Sequence, residues 1–129
     1  MPEIEGVNHF SLTVSDIEAS QAWYTKIFDA QVMLELHEDG FDRVVLLVPP
    51  VVIGLTRHKD GPTDRFDERN IGLDHISFGV ENRAALDIWA AHLDELGIEH
   101  SSVNEVFYGS TLVARDPDNI QIEWFALPS

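Results

Sequence analysis

An α+β fold made of two tandem βαβββ modules is predicted by two features of the sequence. Each half reads as a strand, a helix and three further strands, and residue identities recur between the halves at a constant step. Residues 7–14 (VNHFSLTV) align with residues 73–80 (LDHISFGV), which matches His9 to His75, Ser11 to Ser77 and Val14 to Val80. The step from His9 to His75 is 66 positions, and the step from Trp23 to Trp89 is the same. At the ends of the halves, residues 51–55 (VVIGL) lie against residues 120–124 (IQIEW), so Gly54 falls opposite Glu123 at a step of 69, with three residues gained in a connecting loop. Repetition of a whole supersecondary unit constrains the entire fold, because each copy must form the same local structure.

The elements follow in order. Alternating apolar and polar residues predict a strand over 5–14. Ser15 and Glu18 have the spacing of a capping box, with Ser15 at the N-cap, and predict a helix running to about Phe28. Three strands are expected at 31–37, 42–48 and 51–57. The stretch 58–72 is polar, contains Pro62 and has no period; loops of this length are uncommon inside a compact domain, so it reads as a linker or a lid. A strand resumes over 73–80. A second helix is expected over 83–96, with Leu86, Trp89, Ala90 and Leu93 on one face and Gly97 closing its C-terminus. Strands at 98–103, 110–115 and 120–125 complete the chain. The reading is one domain over 1–129, with module one at about 5–57, the linker at about 58–72 and module two at about 73–126. Trp23 and Trp89 are read as core residues of the two helices.

Composition narrows the chemistry. With 129 residues, of which 44% are hydrophobic, the chain is long enough to bury a core and is not disordered in character. It has no cysteine, which excludes disulfides, thiol nucleophiles and thiolate metal sites. Any metal must be held by nitrogen and oxygen. Twenty-three acidic residues against eight basic ones give a formal charge of −15, which disfavours nucleic acid and anionic membranes as partners. No apolar run approaches the roughly 20 residues of a membrane span. The N-terminus, MPEIEGVNHF, has neither the basic patch nor the apolar run of a secretory signal, and a cytoplasmic location is expected.

Side chains on a strand alternate between its two faces. Phe10, Leu12 and Val14 therefore face one way in the first strand, and His9, Ser11 and Thr13 the other. In the fifth strand Ile76, Phe78 and Val80 oppose His75, Ser77 and Gly79; in the last, Ile122 and Trp124 oppose Gln121, Glu123 and Phe125. One face is apolar and suits packing against the helices. The other gathers imidazole, hydroxyl and carboxylate groups, which are costly to bury without a shared partner. A single histidine on a strand is most often a structural residue, but two at equivalent repeat positions, with a carboxylate on a third strand, match a facial two-histidine, one-carboxylate metal site. His9, His75 and Glu123 are the predicted ligands of one divalent ion: Fe(II), Mn(II), Zn(II) or Ni(II). Ser11, Ser77, Gln121 and Tyr108 are candidate groups around it, with Tyr108 and Gln121 taken as candidate catalytic residues. His37, His58, His92 and His100 are read as surface or structural.

These residues resemble the vicinal oxygen chelate (VOC) superfamily, which includes glyoxalase I, extradiol dioxygenases, methylmalonyl-CoA epimerase, fosfomycin thiol transferases and bleomycin-resistance proteins. The resemblance spans nearly the whole chain. It is carried by NHFSLTVSD around His9, WYTKIF in the first helix, LDHISFGV around His75 and RDPDNIQIEW leading to Glu123, where Asn119 stands in place of the family's glycine. The resemblance implies paired βαβββ modules forming a cupped mixed sheet with the helices outside. It implies four ligand positions, filled here by His9, Gly54, His75 and Glu123. Gly54 offers no donor, which leaves three protein ligands, implies a more open site and speaks against glyoxalase I activity. A His-His-Glu set is similar to that of extradiol dioxygenases and fosfomycin thiol transferases. The dioxygenase Tyr is missing from residues 111–115, though Tyr108 lies upstream, and basic phosphonate contacts are few, with Arg43, Arg57 and Arg115 on or beside strands.

Two functions are therefore expected to compete. The first is a metalloenzyme, dioxygenase-like or glyoxalase-like, acting on a small substrate that chelates through neighbouring oxygens. The alternative is a metal-free small-molecule or drug-binding protein of the bleomycin-resistance type, for which the acidic charge is suited. The resemblance also implies a homodimer in which His9 of one chain meets His75 and Glu123 of the other.

Overall fold

A computed structural model describes residues 1–129 and divides them into two compact units, Met1–Asp64 and Arg65–Ser129. The first unit contains β1 (Phe10–Thr13), α1 (Ile17–Phe28), β2 (Gln31–His37), β3 (Phe41–Val48) and β4 (Val51–His58). Its sheet has the order β1-β4-β3-β2, with β1 parallel to β4 and the other pairs antiparallel. The second unit contains β5 (His75–Gly79), α2 (Arg83–Glu95), β6 (Asn104–Val106), β7 (Gly109–Arg115) and β8 (Gln121–Ala126). Its sheet repeats the pattern as β5-β8-β7-β6, with β5 parallel to β8. The parallel pair in each unit requires a crossover, which the helix and two intervening strands supply.

Each helix packs on the middle strands of its own sheet, α1 on β3 and β4, α2 on β7 and β8. Leu12, Tyr24, Ile27, Val44, Leu46, Ile53 and Leu55 are buried in the first unit; Leu86, Leu93, Leu112, Ile122 and Trp124 are buried in the second. The alternation expected from the sequence thus holds, since the buried strand residues share the face that meets the helix. The first helix does not use both aromatic neighbours equally. Trp23 is half-buried whereas Tyr24 is completely buried, so the core aromatic of α1 is Tyr24 rather than the repeat tryptophan. Trp89 is also half-buried, but its ring packs 5.1 Å from that of Trp124.

Three local expectations are corrected. The first strand is confined to Phe10–Thr13, because the residues before it are exposed and Gly6 turns the backbone at φ 121°. The N-cap of α1 is Asp16, not Ser15: Asp16 has extended φ and ψ, and its carboxylate accepts a 3.1 Å bond from the Ala19 backbone N–H. A carboxylate there also favours the positive end of the helix dipole. Asp16→Ala is expected to cost about 1 kcal/mol in urea unfolding; a loss below a few tenths would show that this cap contributes nothing. Finally, residues 98–103 form no strand beyond an isolated bridge between His100 and Ala114. The Ser101 backbone N–H still donates to the Val113 carbonyl, but side chains replace the return bond: Ser101 Oγ accepts from Val113 N–H and the Ser101 carbonyl accepts from the His100 ring. The strand begins only at Asn104.

His100 has a consequence for pH. Its Nδ1 lies 2.7 Å from the Ser101 carbonyl and its Nε2 lies 2.7 Å from the Asp94 carboxylate. Two acceptors, one per ring nitrogen, are both satisfied only by the doubly protonated imidazolium. The Ser101 carbonyl first, and Asp94 second, accordingly raise the pKa of His100 above its ordinary 6.5. A raised folded-state pKa means that the stabilisation is complete below the unfolded value and is lost as pH rises through the folded one. The stability gap between the native chain and His100→Gln should therefore be larger at about pH 5.5 than at about pH 8. A gap that stays constant or widens with pH would refute the assignment.

The 58–72 stretch is not featureless. His58 closes β4. Arg65 onward belongs to the second unit, where Phe66 N–H donates to the Asp118 carbonyl, Arg65 donates to the Asn119 side chain, and the Asn119 amide donates to the Phe66 carbonyl. Asn119 has φ 72°, a left-handed geometry in keeping with its place in the turn before β8. Asp116 accepts the N–H groups of Asp118 and Ile120 and fixes that turn.

Candidate metal centre

The two modules can be compared residue by residue through strand register. In the first, Ser11 on β1 pairs with Gly54 on β4; in the second, Ser77 on β5 pairs with Glu123 on β8. Because Ser11 and Ser77 are repeat mates, the register independently makes Gly54 the counterpart of Glu123. The position is not simply empty. A Cβ added at Gly54 would lie 2.8 Å from Ser11 Oγ, so the serine hydroxyl already occupies the space over the glycine. Ser11 and Gly54 both line the cleft around His9.

In the second module His75 opens β5 and Glu123 lies on the neighbouring β8, with His75 Nε2 3.9 Å from Glu123 Oε1. The Glu123 side chain is 14% exposed, against 39% for His75. His75 Nδ1 is 2.6 Å from the Asp74 carboxylate. An acceptor at Nδ1 requires the N–H there and makes Nε2 the nitrogen that faces Glu123, the arrangement by which outer carboxylates orient metal-binding imidazoles. The first module repeats it: His9 Nδ1 lies 2.5 Å from Asn8 Oδ1. These orienting residues were not among the sequence candidates. Their signal was present, since both histidines of the repeat are preceded by a residue with a side-chain oxygen acceptor, Asn8 and Asp74.

The structure thus brings two of the three predicted donors together, His75 and Glu123. Both of these donors belong to the second unit, Arg65–Ser129. His9 lies in the first unit, where it lines a cleft of about 310 Å³ with Ser11, Leu34, Leu36, Arg43, Val45, Val52 and Gly54. Within that cleft Arg43 Nε donates to Thr56 Oγ1 at 2.8 Å, Thr56 Oγ1 lies 3.3 Å from Ser11 Oγ, and the Arg43 guanidinium sits 4.5 Å from the centre of the Phe41 ring.

The two candidate catalytic residues differ in situation. Tyr108 lies in the tight connection between β6 and β7, exposed, with its ring stacked on Phe125 at 6.2 Å. Phe125 is two residues beyond Glu123 on β8, so Tyr108 lies on the same sheet face as the carboxylate. Gln121 is opposite His75 in the register, but its carbonyl oxygen already accepts from Arg115 at 3.0 Å. Arg115 also binds Glu68 and the Asn119 carbonyl, and holds the Glu68 carboxyl below its usual range. Gln121 is therefore part of a closed surface network.

Paired βαβββ modules, with histidines at equivalent strand starts and a carboxylate on the last strand, define a vicinal oxygen chelate protein. The chain belongs to the Glyoxalase/Bleomycin resistance protein/Dioxygenase superfamily, whose family model matches residues 6–124. A glyoxylase/bleomycin resistance protein/dioxygenase domain from Frankia sp. EAN1pec is 36% identical, with 98% of this chain and 95% of that one covered and a TM-score of 0.89. The fold is also shared with the fosfomycin resistance protein FosX from Listeria monocytogenes, solved with Mn(II) and 1S,2S-dihydroxypropylphosphonic acid (23% identity, 98% and 93% covered, TM-score 0.73). A lactoylglutathione lyase from Agrobacterium tumefaciens shares it too (18% identity, 97% and 96% covered, TM-score 0.75). Among curated proteins none matches the chain. No helix is long and apolar enough to cross a membrane.

Proposed function

We propose that the two modules form one VOC domain and that the chain is a divalent-metal-dependent enzyme acting on a small substrate with two neighbouring oxygens. His75, Glu123 and His9 would be the protein ligands. The observation that carries this reading is the half-site of the second module, where Nε2 of an imidazole already oriented through Nδ1 faces a largely buried carboxylate oxygen at 3.9 Å. Imidazole nitrogen and carboxylate oxygen suit Fe(II), Mn(II), Zn(II) or Ni(II), and with no cysteine in the chain these are the donors available. When bound, such an ion supplies a Lewis acid with positions open to substrate. The chain's own contribution is positional. Asp74 and Asn8 hold the imidazoles in the ligating tautomer, and the sheet supplies a stiff platform. Tyr108 is the polar group we assign to proton transfer beside the site, since Gln121 is engaged by Arg115.

His9 would reach this half-site across a homodimer, one protomer supplying His9 and the other His75 and Glu123. A cytoplasmic location fits a cysteine-free chain whose helices are too short to span a bilayer.

Metal analysis of tag-free protein, joined to sedimentation, tests the proposal. A dimer with close to one transition metal ion per chain is expected. Failure to take up any of the four metals on reconstitution would reject the metalloenzyme in favour of a metal-free binding protein. A monomer that retains one ion per chain would reject the shared site alone.

A further inference from the structure

The cleft around His9 has a charge character opposite to that of the whole protein. The chain has 23 acidic residues and a formal charge of −15, yet no acidic side chain lines this cleft, and its one formally charged residue is Arg43. Arg43 is half-buried and makes no salt bridge: its interactions are the Nε bond to Thr56 Oγ1 and the Phe41 ring contact, so both terminal amino groups are without a partner. The other open-face arginine behaves differently. Arg115 is neutralised by Glu68 and tied to Asn119 and Gln121. Nor does the repeat explain Arg43. Val45 pairs with Gly54 as Val113 pairs with Glu123, which makes Thr111 the counterpart of Arg43 in the second module. A guanidinium placed on one module only, fixed at Nε by a buried hydroxyl and at its face by an aromatic ring, is preorganised with its two-pronged end unpaired. Around it Leu34, Leu36, Val45 and Val52 are apolar.

The geometry points to Arg43 as the anchor for the carboxylate of a small substrate with an apolar body, seated in the His9 cleft. This deepens the proposed function by naming the substrate class, and it rests on that reading for the identity of the cleft as part of the active site. The planar carboxylate matches the two terminal amino groups of arginine, and removal from water strengthens such charge-assisted bonds. The apolar residues would cover the hydrocarbon part. In a protein that repels anions at long range, a cleft free of carboxylates is what allows the local cation to act.

The test uses the full chain after chelation of metal, so its result does not depend on whether His75 and Glu123 hold an ion. Isovalerate, its uncharged isostere isovaleramide, and isobutylphosphonate are titrated while the Arg43 Nε–H and cleft amide signals are followed by NMR. Isovalerate is expected to bind roughly 10- to 100-fold more tightly than isovaleramide, the range of a charge-assisted hydrogen-bond pair. Arg43→Met should abolish that preference, and Arg43→Lys should recover only part of it. Equal binding of acid and amide by the native chain would overturn the proposal without recourse to any variant. Retention of the preference in a folded Arg43→Met protein would do the same. Tighter binding of the phosphonate than of the carboxylate would overturn the carboxylate assignment.

Discussion

Replacing Glu123 by alanine is expected to lower metal affinity by at least about 100-fold, because loss of a group that merely orients a ligand already costs about 10- to 100-fold. The same loss is expected for His75→Ala. Asp74→Ala should fall within that lower range, since Nε2 remains and only its orientation and basicity suffer. This ranking separates a metal site from a structural ion pair. Were His75 and Glu123 simply a surface pair at 3.9 Å, removing either would change stability by under about 1 kcal/mol and would leave metal uptake as it was. Direct titration of the apo protein with Zn(II) or Mn(II), read by calorimetry, measures the affinities. Unchanged affinity in both Glu123→Ala and His75→Ala would remove the second module from the site.

The largest effect on stability is expected at the residue next to this carboxylate. Trp124 is completely buried on β8, opposite Leu112 and Phe78 in the register, and its ring packs against Trp89. Truncation to alanine removes a large apolar surface and leaves a cavity that a two-strand neighbourhood cannot close. The expected cost is about 3–5 kcal/mol, a large part of the roughly 5–15 kcal/mol available to a domain of this kind. Trp124→Phe should cost less, because the ring is shortened rather than removed. Half-buried Trp23, the repeat mate of Trp89, should tolerate alanine better. Urea unfolding of the metal-free forms gives the comparison. A Trp124→Ala protein within 1 kcal/mol of the native chain would contradict the packing described here.

Glu123 and Trp124 show why much of this fold was legible. In a strand with one covered face, alternation alone tells which neighbour meets the helix and which faces the open side. The repeat then doubles the information, since His9 and His75, Ser11 and Ser77, and Gly54 and Glu123 each constrain the other. Register later returned the same Gly54–Glu123 correspondence from hydrogen bonding. Less legible were features decided by competition among close neighbours. Ser15 and Asp16 are both good caps, and the backbone angles of Asp16 chose between them. Residues 98–103 carry strand-like composition, but the Ser101 hydroxyl and the His100 ring interrupt the backbone ladder after a single bridge. Gly54 read as a gap, because the identity of a glycine does not say which side chain will lean over it; Ser11 does.

The sequence by itself determined the two βαβββ modules, the polar face of each sheet and the identity of the candidate donors, because these follow from local periodicity and from a repeat of 66 positions. Only the tertiary structure decided which donors stand together and how they are held. It placed His75 against Glu123, gave each histidine an oxygen partner at Nδ1, set the Ser11 hydroxyl over Gly54 and left Arg43 unpaired while Arg115 was neutralised. The physical reason is distance along the chain. A strand's own pattern sets where its side chains point, whereas the partner each one meets is set by the pairing of strands some 45 residues apart, as with Ser11 and Thr56, where register and not composition has the last word.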